Sequence, residues 1–252
     1  MKRILSIVLL GLVLSASVLA QAPAADKPSG ALPTVDKVLD NYLKAVGGRD
    51  AWEKLTTRVS KGTIQIPAMN MSGAVEINEK APDKSYTVTT IPGFGDIRQG
   101  FDGSTGWTSD PQSGLHVMAG QELAEIKRDS QFYMALKLRE IYPHIILKGK
   151  DKVGDRDAWI LEVTPADGSP DNLYFDAQSG LLLRQKGERE SPNGKAQIQT
   201  DLEDYHDIDG IKLPFTIRQT SDMGTFIIQI TEVHHNVPVD DAKFAKPASA
   251  AE

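Results

Sequence analysis

The most regular stretch of the chain is IKLPFTIR, residues 211–218, in which apolar and polar side chains alternate. The odd positions carry Ile, Leu, Phe and Ile, and the even positions carry Lys, Pro, Thr and Arg. This period of two predicts a strand with one face against a core and the other in water, as in an antiparallel sheet. Proline has no backbone N–H to donate, so we expect Pro214 at an edge position or a bulge.

Shorter alternating pairs lie on both sides of this stretch. Ile64/Ile66, Val75/Ile77 and Tyr86/Val88 are examples, and Pro, Gly, Asn and Asp separate them. The whole chain then holds about eleven short strands joined by short hairpin links. We therefore expect an α+β fold, in which one strongly curved antiparallel sheet forms a half-barrel with helices packed on its concave face.

The helical segments are fewer. Val35–Val46 has apolar residues at helical spacing behind a potential N-cap, Thr34, and Gly47-Gly48 ends it. A short helical turn is expected at Asp50–Leu55. A second long helix is expected over Gln121–Ile141, where a broad apolar face recurs before a proline stops it.

The N-terminus has the pattern of a cleavable signal peptide. Lys2 and Arg3 precede the apolar run Ile4–Leu14, and small residues then satisfy the cleavage rule near Ala20 or Ala22. Because the apolar run is shorter than the roughly 20 residues that span a bilayer, we expect residues 1–22 to be removed and the protein to be exported from the cytoplasm. The chain contains no Cys, which excludes lipidation at a cysteine and thiol catalysis.

The remaining chain is predicted to contain a flexible leader at 23–33, a single domain at 34–246 and a loose tail at 247–252. Residues 1–22 carry two positive charges and no acid, so their removal takes the net charge from -6 to -8. An acidic chain without a long basic run argues against nucleic acid as a partner. No second apolar stretch of spanning length follows, so we expect that the mature chain does not cross a membrane.

Motifs for catalysis are weak. Ser104 lacks the glycine two positions before it that a nucleophile elbow needs. His234 and His235 are adjacent on a predicted strand and point to opposite faces, so they would not chelate one metal ion together. We therefore expect no catalytic site, metal or cofactor. An enzyme remains an alternative, as a hydrolase that uses His206 or His234 with nearby carboxylates.

Apolar and aromatic side chains are the remaining candidates for function. A strongly curved sheet has a concave face that two helices do not fill, and such a concavity suits an apolar ligand. Methionine adds an adaptable surface for a flexible chain such as a lipid tail. The candidate ligand-binding residues are Trp52, Met69, Met71, Phe94, Phe101, Trp107, Tyr133, Met134, Phe175, Phe215 and Phe226.

Several segments in order resemble the LolA/LolB-like superfamily of periplasmic, outer-membrane lipoprotein-sorting carriers and sensors. They are Val35–Val46, Phe101–Pro111, Leu173–Asp176 with Ser179–Leu182, Tyr205–Pro214 and Val239–Phe244. The resemblance implies a periplasmic location, a curved half-barrel, a helical lid and an apolar cavity for acyl chains, without a catalytic site. The chain is longer than the typical carrier of this superfamily.

Two functions follow as expectations. The first is a periplasmic binding or carrier protein for a lipid, a lipoprotein acyl chain or another hydrophobic ligand, with a lipid or acylated protein as its partner. The alternative is a non-catalytic envelope sensor or protein-interaction domain on the same fold, with envelope proteins as partners and a sheet edge that recruits a partner strand.

Overall fold

The computed structural model describes residues 32–166, 168–191, 194–222 and 224–248. The predicted signal peptide, most of the predicted leader and most of the predicted tail lie outside these residues. Pro33 begins a compact unit that contains the whole sheet. Its thirteen strands are β1 Thr57–Ile66, β2 Met71–Lys80, β3 Lys84–Ile91, β4 Gly95–Phe101, β5 Gly106–Asp110, β6 Gly114–Val117, β7 His144–Val153, β8 Arg156–Thr164, β9 Asp171–Asp176, β10 Leu182–Ser191, β11 Gly194–Ile208, β12 Ile211–Ser221 and β13 Gly224–His235.

The strands form one antiparallel sheet in the order β6-β5-β4-β3-β2-β1-β13-β12-β11-β10-β9-β8-β7. The chain therefore starts in the middle at β1, runs outward hairpin by hairpin to the edge strand β6, crosses to the opposite edge at β7 and returns to pair β13 with β1. The sheet is curved and unclosed, so the predicted half-barrel is confirmed. In the described part of the chain the sheet has thirteen strands, where about eleven were expected.

Pro214 lies in the interior strand β12 and not in an edge strand. However, β13 pairs with β12 only over Thr216–Ser221. At Pro214, β12 therefore has a paired neighbour on one side alone, which is β11. Beyond it, the Lys212 N–H donates to the Val46 carbonyl at 3.2 Å, at the end of the first helix. The missing N–H of Pro214 is therefore tolerated where the two strands diverge.

The first helix, α1, spans Val35–Ala45, and the short α2 spans Arg49–Trp52. The Thr34 hydroxyl caps α1 by accepting from the Lys37 N–H at 3.2 Å, as the sequence predicts. Val38 and Leu39 on its apolar stripe are buried against the sheet.

The single helix expected at Gln121–Ile141 is two helices, α3 at Gly120–Asp129 and α4 at Met134–Ile141. Between them the Phe132 N–H donates to the Pro82 carbonyl at 3.0 Å, and the Phe132 ring is buried. The Ser130 and Ser85 hydroxyls are 2.6 Å apart. These contacts to the β2–β3 turn and β3 replace the helical hydrogen bonds that a continuous helix would make.

The main core lies between the helices and the β7–β10 half of the sheet. α1 and α4 contribute Val38, Leu39 and Leu138, which pack on a row of sheet residues: Leu161, Val163, Leu173 and Phe175. A second cluster joins Val46 and Trp52 to Phe132 and Ile211. The expected helices on one face of the sheet are thus present, and they cover one half of that face.

Candidate ligand-binding groove

The other half of the same face is apolar across five neighbouring strands, from β2 to β11. Directly opposed residues of antiparallel strands point to the same side, so the register joins Ile64 of β1, Ile228 of β13 and Ile217 of β12 in one row. A neighbouring row joins Val75 to Ile230 across β1. We call this surface the apolar face; its members are Ile64, Ile66, Met71, Val75, Ile77, Leu202, Ile217, Phe226, Ile228 and Ile230.

Arg58 identifies this side as the one that carries the helices. Arg58 lies on β1 in phase with Ile64, and its guanidinium is 5.8 Å from the Trp52 ring centre and 5.6 Å from that of Phe132. Trp52 and Phe132 belong to the core beneath α2 and the α3–α4 turn. The apolar face is therefore the continuation of the helix-covered face, on the inside of the half-barrel.

A polar pair borders the apolar face where it meets the helices. Arg58 donates to Glu79 through Nε at 2.5 Å and through Nη2 at 2.7 Å. His235 lies opposite Arg58 on β13, and its Nδ1 is 2.9 Å from a carboxylate oxygen of Asp209. Arg58 Nη1 and His235 Nε2 are buried without a hydrogen-bond partner. This end of the groove is therefore charged and tightly packed.

Helix α3 crosses the concavity and contacts both β5 and β10. Beneath it is a cavity of about 420 Å³, within the range of small-molecule sites. Gln99 of β4 and Gln219 of β12 both line it, although four strands lie between β4 and β12 in the sheet order. The other lining residues are Thr108, Met118, Glu122, Glu125, Ile126, Asp129 and Arg189.

An ion pair holds one wall of this cavity. Arg189 Nη1 and Nη2 donate to the two carboxylate oxygens of Asp171 at 2.8 and 3.0 Å. Asp171 is 1% exposed and also accepts from Gln185 at 2.8 Å. A bidentate pair of this kind holds the guanidinium in one orientation. The Arg189 side chain is therefore a fixed part of the cavity wall.

Asp129 has the opposite environment. Its side chain keeps 49% of its surface accessible, while the protein surrounding it in the concavity raises the pKa of its carboxyl. Asp171 adds to this rise, and Arg189 and Arg128 oppose it. Burial, which disfavours the charged form of a carboxyl group, is thus the main cause of the raised pKa.

Four of the predicted ligand-binding residues lie in the core between the helices and the sheet. Phe175 and Trp52 are buried there, and the Trp52 Nε1–H donates to the Val46 carbonyl at 3.1 Å. Tyr133 donates through its hydroxyl to the Leu55 carbonyl at 2.8 Å. Met134 starts α4 and packs against the cluster that contains Phe175. These side chains stabilise the helices on the sheet.

Four others point to the inner side of the sheet or border the apolar face. Met71 and Phe226 belong to the apolar face itself. Phe101 is fully buried at the end of β4, and the register from Glu79 through Ser85 puts it on the inner side. Phe215 is half-buried and stacks on His206 with the ring centres 4.1 Å apart.

The last three lie elsewhere. Met69 is 64% exposed in the 3-10 turn between β1 and β2, and Phe94 is half-buried in the β3–β4 turn. Trp107 pairs with Gly100 and therefore points to the outer side of the sheet. There its Nε1–H donates to the Phe244 carbonyl at 3.0 Å. The structure does not bring these three together with Met71 and Phe226.

Sequence reasoning missed the isoleucines of the apolar face and the acidic residues of α3. The alternating Ile228 and Ile230 were a visible signal for a buried strand face. What the sequence lacks is the register, because only the pairing of β1 with β13 puts Ile64 beside Ile228.

The described residues hold no group of three His, Asp or Glu side chains placed to bind a metal ion. Each of His116, His206, His234 and His235 lies beside one carboxylate. Within the described ranges, no helix is long and apolar enough to cross a membrane.

No family model matches the chain, and no curated protein matches it in sequence. Solved structures do match its fold. A LolA superfamily protein from Nitrosomonas europaea superposes with a TM-score of 0.54 at 17% identity, over 85% of this chain and 99% of that one. A DUF1329 family protein from Desulfovibrio piger gives 0.53 at 16% identity, over 85% and 98%.

A third structure, a domain from Vibrio parahaemolyticus assigned to outer membrane lipoprotein sorting, gives a TM-score of 0.51 at 12% identity. It covers 82% of this chain and 94% of that one. At these identities the likeness concerns the fold alone. The order of strands, the helices on the inner side and these superpositions together lead to one assignment: the chain has the LolA-like fold.

Proposed function

We propose that this protein is exported to the periplasm and there binds or carries a hydrophobic ligand, either a lipid or the acyl chain of a lipoprotein. The observation that carries the proposal is the apolar face, which runs over β2, β1, β13, β12 and β11 on the inside of the half-barrel. Ile64, Ile66, Val75 and Ile230 of this face are buried, whereas Ile217, Phe226 and Ile228 are only half-buried. Apolar side chains gathered in a concavity are typical of a site for a hydrophobic ligand. The N-terminal signal-peptide pattern of residues 1–22 supports the location.

The proposed ligand lies along the apolar face, with its chain against the half-buried side chains of Ile217, Phe226 and Ile228. Met71 and Phe226 remain ligand-binding candidates from the sequence, and the isoleucines join them. The site needs no cofactor in this proposal, and the protein acts without catalysis, since its function is to hold a molecule that water does not dissolve.

The experiment is a titration of the purified protein with a fluorescent fatty acid. Ile217→Asn puts an amide in the centre of the apolar face, and we expect it to weaken binding roughly tenfold, because the site loses apolar contact and must desolvate a polar group. Thr216→Asn is the matched control, since Thr216 is the next residue along β12 and points to the other side of the sheet.

Equal affinities for the wild type and for Ile217→Asn, with the circular dichroism spectrum unchanged, would contradict binding at the apolar face. Loss of affinity in both variants would point to a general effect on folding, and Ile228→Asn would then repeat the comparison on the neighbouring strand.

A protein-interaction role has one observation in its favour. β7 is a ten-residue edge strand, and its Ile146 is 56% exposed. An open strand edge can pair with an extended segment of another protein. Photocrosslinking from position 146 that captures a stoichiometric envelope protein, from a preparation that contains no lipid, would favour this second function.

A further inference from the structure

Two neighbouring turns carry exposed apolar side chains that the groove does not use. Met69 is 64% exposed in the 3-10 turn Pro67–Met69 between β1 and β2. Residues 92–94 form the β3–β4 turn, in which Pro92 is exposed and Phe94 is half-buried. Because β2 pairs with β3, the two turns lie side by side at one end of the sheet. We call Pro67–Met69 and residues 92–94 the apolar tips.

The hairpins are uncharged around these tips. Residues 62–75 and 85–95 contain no Asp, Glu, Lys, Arg or His. The first charges on β4, Asp96 and Arg98, pair with each other at 2.6 Å. At the other end of the same strands the surface is charged, since Lys80 and Lys84 flank the β2–β3 turn and both pair with Asp241. The two ends of these hairpins therefore differ sharply in polarity.

The tips also expose few groups that need a hydrogen-bond partner. The Asn70 N–H donates to the Pro67 carbonyl at 3.1 Å, and the Phe94 N–H donates to the Ile91 carbonyl at 3.0 Å. The side chains of the tips are those of Pro, Ala, Met, Gly and Phe, none of which is a strong donor or acceptor. A protein interface normally has a polar rim with hydrogen bonds, whereas the hydrocarbon of a bilayer offers no hydrogen bond. The chemistry of the tips thus favours a lipid surface as the partner.

The apolar face continues to the tips. Ile66 and Met71, which belong to this face, form the last pair of the β1–β2 ladder before the first tip. Phe226 lies near the start of β13, and the antiparallel pairing of β13 with β1 puts that start at the same end of the sheet. A protein that rests on its tips would therefore have this end of the groove next to the lipid.

We propose that the apolar tips dock the protein on the surface of a lipid bilayer without net charge, where the side chains of Met69 and Phe94 insert between the lipids. The inference rests on the proposed function in one respect, because a hydrophobic ligand would enter and leave the groove at the docked end. Anionic lipid would weaken docking, since the chain has a net charge of -6 and the neighbouring β12–β13 turn carries the exposed Asp222.

The test is flotation of the purified protein with phosphatidylcholine vesicles. We expect the protein to float with the vesicles at low and at high salt, because insertion of apolar side chains is not screened by ions. Replacement of part of the lipid by phosphatidylglycerol should reduce the floating fraction.

Met69→Asp and Phe94→Asp should each weaken the partition to vesicles about tenfold, since a charge replaces an inserted apolar group. Val117→Asp is the matched control: Val117 is 46% exposed and lies at the end of β6 away from the β5–β6 turn, at the opposite end of the sheet. If Phe94→Asp does not fold, Pro92→Asp makes the same comparison at an exposed position of the same tip.

A fluorescent label locates the contact. The chain contains no Cys, so Ala68→Cys provides a single site for an environment-sensitive fluorophore. Its emission should shift to the blue when phosphatidylcholine vesicles are added, whereas the same label at Val117→Cys should not respond.

Docking and ligand binding fail in different ways. No flotation of the wild type, or equal flotation of the wild type and Met69→Asp, would overturn docking by the tips. Met69→Asp should still bind the fluorescent fatty acid in solution, because Met69 lies outside the apolar face, so a loss of that affinity would overturn the separation of tips from groove. Self-association of the wild type that Met69→Asp abolishes, without vesicle binding, would assign the tips to a second copy of the chain and overturn the proposal.

Discussion

Gly47 joins the end of α1 to the turn between β11 and β12. Its φ is +109°, in the region that favours glycine. A Cβ at this position would lie 2.1 Å from the Gly210 carbonyl oxygen, a backbone atom that cannot move without shifting the turn. The adjacent bond from the Lys212 N–H to the Val46 carbonyl depends on the same close approach. Gly47 therefore fixes the helix against the sheet.

Substitution here should be costly. We expect Gly47→Ala to lower the free energy of unfolding by about 3 kcal/mol or more, from backbone strain and from steric overlap. Gly48→Ala is a close control, since Gly48 also has a positive φ, +78°, but has open space where the Cβ would be. It should cost only about 1 kcal/mol. Urea unfolding followed by circular dichroism measures both, and equal losses would contradict the role of the close approach.

At the scale of elements, the segment Val237–Phe244 acts as a strap across the outer side of the sheet. Its Val237 carbonyl accepts from the Thr57 hydroxyl at 2.7 Å. Its Phe244 is fully buried, and the Phe244 carbonyl accepts from the Trp107 Nε1–H. Asp241 pairs with Lys80 at 2.9 Å and with Lys84 at 3.1 Å. The strap thereby ties β1, β2, β3 and β5 together.

The strap should loosen in acid. The hydrogen bond from Lys243 is the main cause that lowers the pKa of Glu76, and those from Lys80 and Lys84 lower the pKa of Asp241. Carboxylates with a lowered pKa stabilise the fold fully above their ordinary values of 4.5 and 3.8, and this contribution is lost as the pH falls through the lowered values. We expect Trp107 to become exposed to a fluorescence quencher below about pH 4.

Glu76→Gln should remove part of this pH dependence, because the amide cannot titrate. Glu140→Gln, on an exposed part of α4, should leave it unchanged. The same quenching profile in Glu76→Gln and in the wild type would mean that other carboxylates control the strap.

The elements that the sequence predicted correctly are those set by local pattern. Thr34, the apolar stripe and the glycines specify α1, and the alternation at 211–218 specifies β12. The break after Asp129 was missed because its cause is distant: Phe132 bonds to Pro82, far away in the chain. The position of Trp107 on the outer side of the sheet was missed for the same reason, since the residue it contacts, Phe244, is distant in the sequence.

At the scale of the whole molecule, the two arms of the sheet meet where β1 pairs with β13. The first arm, β1 to β6, and the second, β7 to β13, each contribute part of the apolar face, and α3 contacts both arms. A periodic sequence predicts that such strands exist, but not which distant strand each one meets. The half-barrel could therefore be predicted as a class of fold, whereas the groove required the register.

The central claim is that this face holds a hydrophobic molecule. Its most direct test is native mass spectrometry of the protein purified from the envelope of its own host, followed by solvent extraction and identification of what is released. We predict a mass above that of the mature chain and an extracted lipid or acyl compound near one equivalent. A bare protein that yields no lipid on extraction, and that also fails to bind a fluorescent fatty acid, would contradict the account.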